Sequence, residues 1–204
     1  MDVICFKNEP DLLNIVLACS DGVLRKFEFN FSTEKLRLEA ESDPPESHAF
    51  LRIAKSTERC ADFLTSSTNG KVEFWTLKSL TKLREVSVHL SGINSLLSFP
   101  NLGIVTGGDD GAMGLISSKI RNQSSANSGH VTGIVILDED RILTCSVDQR
   151  VSVWKVFADR ENPFQLVSQK FSHVPDLHDV VVCRKDEDVF VAVVGAGLQM
   201  FKID

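Results

Sequence analysis

Apolar residues recur along this chain in short runs, many of them alternating with polar ones, and polar turn clusters cut each run off. Residues 130–156, HVTGIVILDEDRILTCSVDQRVSVWKV, show the unit most clearly. Three runs rich in β-branched residues, 131–137, 141–146 and 151–156, are separated by Asp138-Glu139-Asp140 and Val147-Asp148-Gln149. Period-two runs bounded by turn residues predict antiparallel strands rather than helices.

The unit repeats. His48, His89, His130 and His173 are spaced by 41, 41 and 43 residues. Each is followed some twenty residues on by a turn position: Gly70, Gly111, Gln149 and Gly197. The stretches LACSDGVLRKF (17–27), TSSTNGKVEFW (65–75), TGGDDGAMGLI (106–116) and TCSVDQRVSVW (144–154) align as strand, tight turn, strand. Asn-Gly and Asp-Gly favour hairpin turns because their central residues tolerate positive φ. A period near forty is that of a four-stranded β-propeller blade.

The expected fold is therefore all-β, a single propeller-type domain over 1–204 with blades at 1–42, 48–88, 89–128, 130–171 and 173–204. The third block has a weak fourth strand, because 119–128 is mostly polar and reads as a loop over a frayed edge. The last block offers only three strands, 179–183, 189–194 and 198–203. Propellers protect a sheet edge by completing it from elsewhere in the chain. The chain thus reads as the C-terminal part of a larger propeller, or as one completed by another chain; a small closed five-bladed ring is the alternative.

Within the blade pattern, His130, Thr144, Asp148 and Trp154 occupy the positions of a buried hydrogen-bonded set. An imidazole held between carboxylate and hydroxyl, with the indole N–H as a further donor, would tie three strands together. His48, Thr65, Asn69 and Trp75 form a partial set in the second block, with an amide in place of the carboxylate. The third block has His89, Thr106 and Asp110 but Ile116 where the indole would sit; the first has Asp21 and Phe27, with Leu17 at the hydroxyl position.

Composition narrows the function. With 43% hydrophobic and 25% charged residues, and no apolar run of the roughly 18–20 residues a membrane helix needs, the chain reads as globular, with no membrane association. The start, MDVICFKNEP, lacks a signal-peptide pattern, which predicts the cytosol or the nucleus. A net charge of −6 argues against a surface built mainly to neutralise phosphates. The clusters Arg25-Lys26 and Lys78 with Lys82 and Arg84 read as solvated strand edges. Cys5, Cys19, Cys60, Cys145 and Cys183 are scattered without a Cys-x-x-Cys, so neither a zinc site nor a disulfide framework is expected.

Catalytic signatures fail on inspection. Residues 107–111, GGDDG, lack the Lys-Ser/Thr of a phosphate loop. His173 and His178, with Asp176 and Asp179, read better as a blade entry with solvated carboxylates than as metal ligands. The acidic tips 138–140 and 186–188 read as solvated hairpin ends, with a basic partner bound to one face as the alternative. His130, Asp148 and Thr144 match a hydrolase triad in composition only. The expectation is a scaffold without catalytic, cofactor-binding or metal-binding residues.

Four stretches, CSDGVLRKF (19–27), SGINSL (91–96), GHVTGIVIL (129–137) and SVDQRVSVW (146–154), together with HVPD (173–176) and GLQMF (197–201), resemble the C-terminal end of a WD-repeat family. Its members regulate the tRNA 2′-O-methyltransferase that acts on the wobble nucleotide. The resemblance implies a non-catalytic subunit that binds the methyltransferase and meets tRNA only through the complex, in the cytoplasm. Another WD-repeat scaffold, such as a ubiquitin-ligase adaptor or a trafficking subunit, is the alternative. HVPD and GLQMF favour the first, since they are not general WD-repeat features.

Overall fold

The computed structural model describes residues 1–44, 48–100, 102–117, 121–125, 129–186 and 188–203, with backbone alone at Asn8 and 121–125. Among the described residues nineteen strands form five antiparallel sheets in chain order. The first holds β1 (Asp2–Glu9), β2 (Leu12–Ala18), β3 (Leu24–Asn30) and β4 (Lys35–Glu41). The second holds β5 (Phe50–Lys55), β6 (Phe63–Ser67), β7 (Lys71–Trp75) and β8 (Lys82–Ser87), and the third β9 (Ile93–Phe99), β10 (Gly103–Gly108), β11 (Ala112–Ile116) and β12 (Arg121–Ser125). The fourth comprises β13 (Val131–Ile136), β14 (Arg141–Ser146), β15 (Arg150–Val156) and β16 (Phe164–Phe171). The fifth has three strands, β17 (Asp179–Lys185), β18 (Asp188–Val194) and β19 (Leu198–Ile203).

One expectation fails here. The third sheet does have a fourth strand: Arg121–Ser125 pairs with β11 from Ala112↔Ser125 to Ile116↔Arg121. Backbone pairing at an outer edge needs no apolar side chains, so polarity at 121–125 was a poor guide. The neighbouring positions 118–120 and 126–128 lie outside the described residues, as do Glu187 of the acidic tip 186–188 and 45–47 of the proline-bearing loop.

The sheets stack face to face, and the core is a series of four seams. Val16, Ala18 and Leu24 of the first sheet meet Phe50, Phe63 and Trp75 of the second. Leu64, Val72 and Phe74 of the second meet Ile93 and Ile104 of the third. Val105, Met113 and Leu115 meet Val131, Ile142 and Trp154 of the fourth, and Leu143, Val151 and Val153 meet Val180, Val191 and Val193 of the fifth. Burial on both faces explains why β6 and β11 are buried at every position instead of alternating. Outer strands are the converse: β16 is exposed at every position after Phe164.

Polar bonds reinforce the seams. Ser66 Oγ donates to the Ile93 carbonyl (2.9 Å), Thr132 Oγ1 to that of Leu177 (2.7 Å), and the Ile53 amide to Asp2 Oδ2 (3.0 Å). Among the described residues no core cluster joins the fifth sheet to the first, and Val3, Val181 and Met200 of these two sheets are more than half exposed.

The turn between a sheet's second and third strands places its key residue at positive φ: Gly22 at 77°, Gly70 at 76° and Gly111 at 74°. Gln149 takes the same place in the fourth sheet at 68°. A side chain there costs about 1–2 kcal/mol, partly offset by the lower unfolded-state entropy of a non-glycine. Gln149→Gly is therefore expected to raise stability by about 0.5–1 kcal/mol in urea titration. An unchanged or lower midpoint would refute the equivalence of the four turns.

Candidate functional site

The most complete polar set lies in the third sheet. His89, buried just after β8, places Nδ1 2.9 and 3.1 Å from the Asp110 carboxylate oxygens and Nε2 2.8 Å from Thr106 Oγ1. A carboxylate can only accept, so Nδ1–H donates to Asp110 and Nε2 accepts the Thr106 hydroxyl proton. Asp110 Oδ1 also accepts from the Ala112 amide (3.0 Å). Both imidazole nitrogens are engaged inside the fold, which suits anchoring rather than proton transfer to a substrate.

The other two sets are divided. In the fourth sheet the Trp154 indole donates to Thr144 Oγ1 (3.0 Å); in the second, Trp75 donates to Thr65 Oγ1 (2.9 Å). Both threonines are fully buried. Their histidines take other neighbours. His130 is 56% exposed and faces Asp109 Oδ1 of the third sheet at 3.3 Å, so the four-residue set expected from His130, Thr144, Asp148 and Trp154 does not assemble.

Asp148 closes its own turn, accepting from the Arg150 amide (3.1 Å). Asn69 does likewise, taking the Ser67 hydroxyl (2.6 Å) and the Lys71 amide (3.3 Å), and Asp21 accepts from the Val23 amide (3.0 Å). Each is the side-chain-capped turn that Asp and Asn favour.

The ladder supplies the physical reason for the difference. Opposite Thr106 stands Gly114, opposite Thr144 stands Ser152, and opposite Thr65 stands Glu73. Beside Gly114 there is space for the imidazole, since a Cβ there would lie 3.3 Å from His89 Nε2 and 2.5 Å from Thr106 Oγ1. Ser152 instead accepts from the Gln169 amide (2.9 Å). Glu73 occupies the corresponding room in the second sheet, and His48 Nε2 lies 3.4 Å from its Oε1.

Glu73 is the residue that motif reading passed over. Only 1% exposed, it sits where its sheet parity with Trp75 puts it, in KVEFW, and that parity is the signal that could have found it. It belongs to a cleft between the first and second sheets. Lys82 Nζ lies 3.4 Å from Glu73 and 3.0 Å from Glu85, and Glu85 also binds Lys71. Burial draws the Lys82 ammonium down, but the bond to Glu85 and the charge of Glu73 outweigh it and leave its pKa raised. Glu85 is held below the usual carboxylate range by Lys71 and then Lys82.

Elsewhere the residues singled out from sequence are accounted for locally. In the GGDDG loop, Gly108 is small because a Cβ there would run into His89 Nδ1. His173 and His178 are exposed, and among the described residues no group of three or more His, Cys, Asp or Glu is placed to hold a metal. Arg25 bonds Asp21 (2.9 Å) and Glu41 (2.8 Å), and Arg84 bonds Glu58 (2.7 Å) over the Phe74 ring. Asp138 accepts from Arg141 Nε (2.6 Å). Burial pushes the Cys145 thiol up to about 11. No described helix is long and apolar enough to cross a membrane.

Comparison with known proteins fits this geometry. Residues 121–155 match the model of the WD domain, G-beta repeat. Over 92% of its length the chain is 24% identical to the tRNA (34-2'-O)-methyltransferase regulator WDR6 of Rattus norvegicus, and over 87% it is 26% identical to that of Homo sapiens. It spans about a fifth of the length of these relatives. In three dimensions it resembles a chain of the humanized mutant of the Chaetomium thermophilum Polycomb Repressive Complex 2 bound to the inhibitor GSK126. The TM-score is 0.75 at 13% identity, covering 100% of this chain and 55% of that one, a likeness of fold alone. The chain is an all-β WD40-repeat protein of propeller type, distantly related to the WDR6 regulators.

Proposed function

We propose that this chain acts as a non-catalytic WD-repeat scaffold that binds and regulates a tRNA 2′-O-methyltransferase acting on the wobble nucleotide, in the cytoplasm. The observation that carries the reading is the extent of likeness to the WDR6 regulators, which covers 92% of the chain rather than one generic repeat. Two features support it. The histidine, threonine and tryptophan groups that could be mistaken for an active site are spent on bonds between strands. The net charge of −6 suits contact with a protein better than with a nucleic-acid backbone, so tRNA is met through the complex.

Affinity capture from cytosol with the chain as bait, read by mass spectrometry, tests this. Recovery of a 2′-O-methyltransferase, with tRNA only when that enzyme is present, is the expected result. Recovery of ubiquitin-ligase or vesicle-trafficking components in its place would move the chain to another class of WD-repeat scaffold. A salt-steep, submicromolar affinity of the chain alone for tRNA would overturn the indirect role.

A further inference from the structure

The cleft between the first and second sheets has a volume of about 750 Å³ and is lined by Asp43, His48, Phe50, Glu73, Trp75 and Lys82 among others. Its deepest charge, Glu73, is poorly satisfied. A buried carboxylate has room for several donors and is costly without them. Among the described residues Glu73 has one hydrogen-bond donor, Lys82, at 3.4 Å, and Lys82 is held more closely by Glu85 at 3.0 Å.

Facing Glu73 is a second unsatisfied group. Among the described residues His48 Nε2, itself buried, makes no hydrogen bond, although it lies 3.4 Å from Glu73 Oε1. Thr65, the residue across the ladder, accepts the Trp75 indole N–H through its hydroxyl oxygen. The Glu73 carboxylate and the His48 ring thus share the cleft with the edge-to-face rings of Phe50 and Trp75.

The charge around the cleft selects the sign of what would fill it. Lys71 and Lys82 are both engaged by Glu85, and Glu41 by Arg25. Glu73 shares Lys82 with Glu85, and Asp43 stands at the rim. The unmet demand is for donors carrying positive charge. A guanidinium has five N–H groups in a rigid plane, lies well against aromatic faces and sheds water more readily than an ammonium. We propose that this cleft binds an arginine side chain presented by a partner protein, with the Glu73 carboxylate as its acceptor and Phe50 and Trp75 as its apolar wall. This site is local to two sheets and stands whether or not the partner is the methyltransferase.

The chain has two tryptophans and no tyrosine, so its two indole N–H signals in ¹H–¹⁵N spectra separate the cleft from the remote Trp154. The probe is the tripeptide N-acetyl-Gly-Arg-Gly-amide at millimolar concentration. The expected result is a saturable shift of the Trp75 signal with that of Trp154 fixed, and no shift with the norleucine analogue or with inorganic phosphate. Glu73→Gln should weaken binding at least tenfold while the Trp154 signal reports an intact fold. Lys82→Met, which removes the resident cation, should tighten binding several-fold, a result that a purely structural role for Lys82 would not give. A Trp75 signal that ignores the arginine peptide, follows phosphate, or responds equally in Glu73→Gln would overturn the proposal, as would weaker binding by Lys82→Met.

Discussion

Trp154→Ala is expected to destabilise the chain by about 3–5 kcal/mol in urea denaturation. The indole is 7% exposed and sits in the seam between the third and fourth sheets, among Met113, Leu115, Val131 and Ile142. Truncation would therefore open a cavity that two packed sheets cannot easily collapse. It would also strip the buried Thr144 hydroxyl of the N–H it accepts, at about 1–3 kcal/mol. Trp154→Phe separates the two contributions, because it retains most of the apolar volume and loses the donor. Its expected cost is about 1–3 kcal/mol. A loss below about 1 kcal/mol for the alanine variant would show that the seam is not the continuous core described above.

The repeat made the strands legible. Turn chemistry at Asp21-Gly22, Asn69-Gly70 and Asp110-Gly111 and apolar runs between turns placed the strands of all five sheets except β12. That strand escaped because outer-edge pairing asks little of side chains, and its residues are polar. The polar sets were legible by residue type but not by occupancy. Sequence favoured 130–154 because all four residue types were there, yet His130 turned outward to Asp109. Meanwhile the third sheet, which lacks the tryptophan, brought His89, Asp110 and Thr106 together. What decided the matter was the residue across the ladder, a pairing that can be read only once register is known.

The same register argument makes Gly114 the position on which the third-sheet set depends. Gly114→Val is expected to cost about 2–4 kcal/mol. A Cβ at this site would meet the Val88 side chain, Thr106 Oγ1 and His89 Nε2, in a strand buried at every position. Something must yield, and backbone pairing fixes Thr106 against Gly114. The imidazole is the group with somewhere to go, since it reaches the set from the loop after β8 and its counterparts His48 and His130 face the carboxylates of Glu73 and Asp109 instead. Its departure would leave Thr106, which has no indole partner in this sheet, buried without the acceptor it now donates to. Asp110 would keep its bond to the Ala112 amide, so the turn itself should survive. The expected NMR signature is a His89 imidazole that gains solvent exchange while the indole signals of Trp75 and Trp154 stay in place. Retention of the buried imidazole with a loss under about 1 kcal/mol would mean that something other than the space beside Gly114 admits His89 to the third sheet while His48 and His130 take other neighbours.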